Sequence, residues 1–74
     1  MTVRLLLQAT LRHMFPGLPD PVITNATTVG ELLDEQHISR SEAALLFVNG
    51  RRATPESAIR EGDEIRAFPL LGGG

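Results

Sequence analysis

Apolar and polar positions alternate through the first nine residues. Val3, Leu5, Leu7 and Ala9 fall on one side, with Thr2, Arg4, Leu6 and Gln8 on the other, which is the pattern of a strand with one buried face. Leucine suits a helix at least as well, so a helix is the alternative for this run. Pro16-Gly17 and Pro19-Asp20-Pro21 then force a loop, because proline fixes φ and has no N–H. Val22-Ile23-Thr24 is β-branched throughout and predicts a second strand pairing back on the first. Thr28 and Glu31 have the spacing of a capping box, and Val29, Leu32, Leu33 and Gln36 form one apolar stripe of a helix running to about His37. Gly30 falls in its first turn, where a glycine costs less than in mid-helix, and the polar stretch Ser39 to Glu42 ends it.

Ala44 to Val48 predicts a strand, and Asn49-Gly50 is a strong hairpin signal, since both residues tolerate positive φ. Arg51-Arg52-Ala53 supplies a short return strand. Thr54 to Ser57 predicts a turn with a brief helical piece, and Glu61-Gly62-Asp63 another turn. Glu64 to Phe68 is the last strand, closed by Pro69. The order is strand, strand, helix, short hairpin, strand, with neither repeat nor linker. Residues 1–69 form one α+β domain and 70–74 a tail.

Composition narrows what such a domain can do. A chain of 74 residues hides only roughly 60% of its unfolded surface, so its core is thin and a deep active-site cavity is not expected. Hydrophobic residues at 42% and charged residues at 22% fit a folded chain. The net charge of −2 offers no overall cationic field for nucleic acid or anionic lipid, and neither is expected as a partner. The absence of cysteine removes disulfides, thiolate metal sites and cysteine nucleophiles. Met1 to Gln8 has Arg4 within its apolar run and no small-residue cleavage site, unlike a signal peptide. No apolar run approaches the roughly 20 residues of a membrane span, so a cytoplasmic location is expected. All seven basic residues are arginine, so no side-chain amine is available for a Schiff base or an isopeptide bond.

Catalytic groupings are not evident. His13 and His37 lack metal-ligand spacing and read as exposed or cap-adjacent. Asp63 and Glu64 are adjacent, so on a strand they point to opposite faces. Ser39, Ser41 and Ser57 have no nucleophile-elbow context, a phosphate loop lacks its lysine, and Gly72-Gly73-Gly74 has no following helix to cradle a phosphate. Arg51 and Arg52 suit either an acidic rim on a partner or a solvated hairpin end. The chain reads as a carrier or binding partner, not as an enzyme with its own active site, and no bound cofactor or metal is expected.

The tail is the biased segment. Three glycines at a chain end suit a frayed terminus or an expression scar. They also suit a thread slim enough for a channel that no other residue could enter. Leu70 to Gly74, at about 3.3–3.6 Å per residue, reaches roughly 17 Å, enough to enter a partner's active site while the globular part docks outside.

Several strings taken together resemble the ThiS/MoaD family of ubiquitin-like sulfur carriers. They are Thr28-Val29-Gly30-Glu31-Leu32-Leu33, Phe47-Val48-Asn49-Gly50-Arg51, Glu61-Gly62-Asp63-Glu64-Ile65, and Phe68-Pro69-Leu70-Leu71 with the closing Gly73-Gly74. The likeness spans nearly the whole chain. The long first loop from Thr10 to Pro21 and the Phe68-Pro69 pair look more like the molybdopterin-type carrier than the thiamine-type one. Gly72 departs from the pattern, standing where the family often has a small non-glycine residue. The resemblance implies a β-grasp fold, a mixed four- to five-stranded sheet with one main helix on one face. It also implies that the Gly74 carboxylate is adenylated with ATP by a ubiquitin-activating-like enzyme and converted to a thiocarboxylate. The sulfur then passes to a sulfur-accepting synthase, of which this chain would be the small subunit. Leu70, Leu71, Gly72 and Gly73 would be the tail that partners recognise. A ubiquitin-like modifier joined through Gly74 to lysines of target proteins is the alternative.

A β-grasp sheet leaves the face away from its helix open. If Ile65 and Ala67 pack under the helix, Arg66 and Phe68 face outward, as Phe47 and Leu45 do on the preceding hairpin and Leu6 on the first strand. Leu6, Phe47 and Phe68 are thus the candidate partner-binding patch, although each taken alone also suits a core position because the register of the third strand is not fixed by the sequence.

Overall fold

The computed structural model describes residues 1–70. Its elements are β1 (Thr2–Leu7), α1 (Leu11–Met14), β2 (Val22–Ile23), α2 (Val29–Glu35), β3 (Leu45–Val48), β4 (Arg51–Ala53) and β5 (Glu64–Phe68). They build one five-stranded mixed sheet in the order β2-β1-β5-β3-β4. The central pair β1–β5 is parallel, with Leu5 opposite Ile65 and Leu7 opposite Ala67. All other pairings are antiparallel.

The alternation read in the first run holds through Leu7. Val3, Leu5 and Leu7 are buried beside Ile65, Ala67 and Leu46, and under them lie Val29, Leu32 and Leu33 of α2. Ala9 departs from the expectation. It is exposed and adopts φ 53°, because the chain leaves the sheet there to enter α1. That single-turn helix lies in the stretch expected to be loop, and its Leu11 is fully buried. Four residues are too short to show a helical period, so the sequence pattern passes over it.

At the start of α2, Thr28 Oγ1 accepts the Glu31 N–H at 3.2 Å. The helix ends two residues earlier than expected. His37 sits at φ 60°, its N–H bonding Asp34 O at 3.0 Å, while Ile38 N–H bonds Leu33 O at 2.9 Å. These two bonds make a Schellman cap with histidine in the place usually held by glycine, and Ile38 buries itself against the core. β3 begins at Leu45, Ala44 being exposed and outside it.

No helical piece forms between Thr54 and Ser57, which is a turn. The carbonyls of Pro55 and Ser57 are committed elsewhere, accepting the N–H groups of Gly30 at 2.8 Å and Val29 at 3.0 Å. These are orphan donors of the first turn of α2, which need partners outside the helix. That close approach also accounts for Gly30: a Cβ there would stand 3.0 Å from Pro55 O and 2.6 Å from the Arg40 guanidinium.

Candidate functional site

Because side chains alternate across a strand, the register of β1, β5, β3 and β4 places one residue set on the face away from α2. Leu6 lies beside Arg66, Arg66 beside Phe47, and Phe47 beside Arg52. One step towards the end of β5, Phe68 lies beside Leu45. Leu6, Leu45, Phe47, Arg66 and Phe68 are all half-buried. The Phe47 and Phe68 rings meet edge to face, 5.7 Å between centroids at 80°, a favourable aromatic geometry. The Arg52 guanidinium lies 5.9 Å from the Phe47 centroid, within cation–π range.

Of the three residues expected to form the patch, Phe47 and Phe68 touch. Leu6 shares their face but lies across β5 from Phe47 with Arg66 between. Arg66 is tied to Glu64 on its own strand at 3.0 Å, and Glu64 also stands 3.8 Å from Arg4. Arg4 pairs with Asp20 at 2.8 Å, and that hydrogen bond holds the Asp20 carboxyl below the ordinary carboxylate range. The face is therefore a small aromatic centre enclosed by arginines, two of which carry carboxylate partners. Arg66 was legible as an outward residue, but its position between Leu6 and Phe47 follows from register.

β5 delivers the chain from this face into the tail. Pro69 is half-buried and Leu70 is 80% exposed. Leu71, Gly72, Gly73 and Gly74, named above for tail recognition and carriage, lie outside the described residues. The family model described as ThiS matches residues 5–74, a span that takes in the sheet and the whole tail. The chain belongs to the ThiS family.

The structure of this ThiS-family chain is similar to the crystal structure of SAMP1 from Haloferax volcanii, a ubiquitin-like small archaeal modifier. The TM-score is 0.74 at 25% identity, with all of both chains covered. The β-grasp fold expected from the sequence is thus the fold observed. A search of curated proteins finds no match.

Elsewhere, among the described residues, no group of three or more His, Asp or Glu side chains is arranged to hold a metal ion, and no helix is long and apolar enough to cross a membrane. His13 is exposed on α1, and His37 is exposed directly after Gln36, the C-cap of α2. Asp63 and Glu64 diverge as adjacent residues do. Asp63 accepts from Asn49 Nδ2 and from the Arg60 N–H, whereas Glu64 turns to Arg66 on the open face.

Proposed function

We propose that this ThiS-family chain is a sulfur carrier whose reactive group is the carboxylate of Gly74. The family match through residue 74 carries the reading, and the open sheet face at the root of the tail supports it. A carboxylate is a poor electrophile. In the proposed cycle its oxygen attacks the α-phosphorus of ATP inside a partner adenylating enzyme, giving an acyl-adenylate and releasing pyrophosphate. A hydrosulfide-level sulfur nucleophile then displaces AMP; the C–S bond forms as the acyl C–O bond breaks. The resulting thiocarboxylate donates its sulfur within a synthase large subunit, with molybdopterin synthesis the first choice of pathway and thiamine synthesis the second. No side chain of this protein needs to act as acid, base or nucleophile. It is a co-substrate whose surface docks and whose last residues reach.

Intact mass of the protein from its native cells tests this. Replacement of oxygen by sulfur adds roughly 16 Da, close to the gain on methionine oxidation, so the gain must map to the C-terminal peptide and not to Met1 or Met14. An unmodified C-terminal peptide under conditions of active cofactor synthesis would refute the proposal.

The likeness to SAMP1 favours a second reading, a protein modifier joined through Gly74 to lysines of target proteins. Gly74 recovered in isopeptide linkage to cellular proteins would establish it. With no lysine in the sequence, this chain could not be extended upon its own side chains.

A further inference from the structure

The end of the sheet opposite the tail has a character of its own. Strand β4 is an edge strand, and its hairpin with β3 closes through Asn49 and Gly50 at φ 52° and 84°. Between this hairpin and the segment 57–63 lies a groove of about 540 Å³ lined by Asn49, Arg51, Arg52, Ser57, Arg60 and Asp63. Arg51, Arg52 and Arg60 are all exposed. Among the described residues none of the three has a carboxylate within ion-pairing distance, nor has Arg12, whereas Arg40 and Arg66 each have one and Arg4 has two. The Asp63 carboxylate does not fill the role. Its Oδ1 accepts from Asn49 Nδ2 at 2.9 Å and its Oδ2 from the Arg60 N–H at 2.8 Å, and no guanidinium reaches it. Three of the seven arginines are thus gathered at one end of the chain, with Asp63 as the carboxylate lining the same groove.

We propose that this hairpin end docks an acidic segment of a partner protein, held by Arg51, Arg52 and Arg60 along the free edge of β4. The free edge of β4 beside these arginines favours an extended peptide over a compact anion. Arg51 pairs with Val48 and shares its side of the sheet, whereas Arg52 pairs with Phe47 and faces the open side. All three line the groove, and a segment running along the edge of β4 meets them together while its backbone reaches the unpaired groups of that strand. In a two-residue hairpin the Arg52–Phe47 pair is the non-hydrogen-bonded one, so the backbone N–H and C=O of Arg52 point away from the sheet. They offer main-chain pairing to an added strand. Nucleic acid is disfavoured by the carboxylates over the rest of the surface. Asn49 N–H bonds Glu64 O at the start of β5, whereas the tail leaves from Phe68, four residues or roughly 13 Å away.

The test is a titration of the ¹⁵N-labelled full chain with a synthetic ten-residue peptide of alternating glutamate and aspartate. The expected result is saturable amide shifts confined to residues 48–53 and 57–63, weakening steeply as salt rises. Paired Arg51→Glu and Arg60→Glu substitutions should lower affinity at least about tenfold, while Arg12→Glu, an exposed arginine outside the groove, leaves it unchanged. If the double variant does not give a folded spectrum, Arg51→Gln and Arg52→Gln taken singly should each weaken binding. Shifts that are absent, spread equally around Arg12 and Arg40, or reproduced at lower concentration by inorganic phosphate or a single-stranded oligonucleotide would overturn the proposal.

Discussion

Glu31 was legible from its spacing to Thr28, but its side chain does something the spacing does not specify. In a capping box the third-position glutamate returns to the N–H of the cap residue. Here Oε1 accepts instead from the Thr27 N–H at 2.8 Å and the Thr27 hydroxyl at 3.0 Å, one residue further back. Both donors favour the charged carboxylate, and with the backbone bond from Thr27 as the largest cause its pKa falls below the ordinary glutamate range. A carboxyl that ionises more readily when folded adds stability above its unfolded value, about pH 4.3. That contribution is lost as pH falls through the lower folded value. Glu31→Gln should therefore unfold at lower temperature than the parent at pH 7, with the difference narrowing as the pH is taken down through 4. Paired thermal melts at pH 7, 4.5 and 3 would show it, and a difference unchanged by pH would assign the effect to shape and not to charge.

Among the elements, the ones read correctly have strong local signals: β-branched Val22-Ile23, the Thr28 cap and the Asn49-Gly50 turn. The misread ones are governed by contacts between distant residues. Leu11 is fully buried because the chain leaving β1 must bring it back under the sheet, and no neighbouring residue announces that. Pro55 and Ser57 are held in a turn by the helix donors Gly30 and Val29, 25 and 28 positions earlier in the chain. Asn49 combines both kinds of information. Its positive φ was implied by the turn, but its side chain also fastens the hairpin to β5, with Oδ1 accepting the Glu64 N–H at 2.9 Å and Nδ2 donating to Asp63 at 2.9 Å. Glycine at this position keeps the backbone geometry and removes only the fastening. Asn49→Gly should cost about 1 kcal/mol, and Asn49→Ala should cost roughly 1 kcal/mol more for the left-handed backbone. Urea denaturation of the two variants separates these contributions: an Asn49→Gly chain as stable as the parent would mean the side-chain bonds contribute nothing, and equal losses for the two variants would mean the left-handed backbone costs nothing.

At the scale of the molecule, the sequence indicated which residues face outward but not how they assemble, since register decides whether two outward residues are neighbours. Phe68 is the position where that matters most. It ends β5, its ring meets Phe47, and the chain two residues on is already exposed, so a partner that takes the tail and covers the sheet passes over it. Phe68→Arg introduces a further guanidinium on the same face two residues after Arg66 and removes the edge-to-face contact, while Ile65 and Ala67 stay beneath, buried and untouched. The variant should retain its circular dichroism spectrum. Its adenylation, followed as ATP–pyrophosphate exchange by the partner adenylating enzyme, should slow at least about tenfold, equivalent to about 1.4 kcal/mol of docking free energy. The tail sequence is unchanged in this variant, so a loss of rate reports docking and not carboxylate chemistry. A folded Phe68→Arg chain adenylated at the parental rate would show that the activating enzyme grips the protein elsewhere and would leave the aromatic pair as a device for stiffening the open side of the sheet.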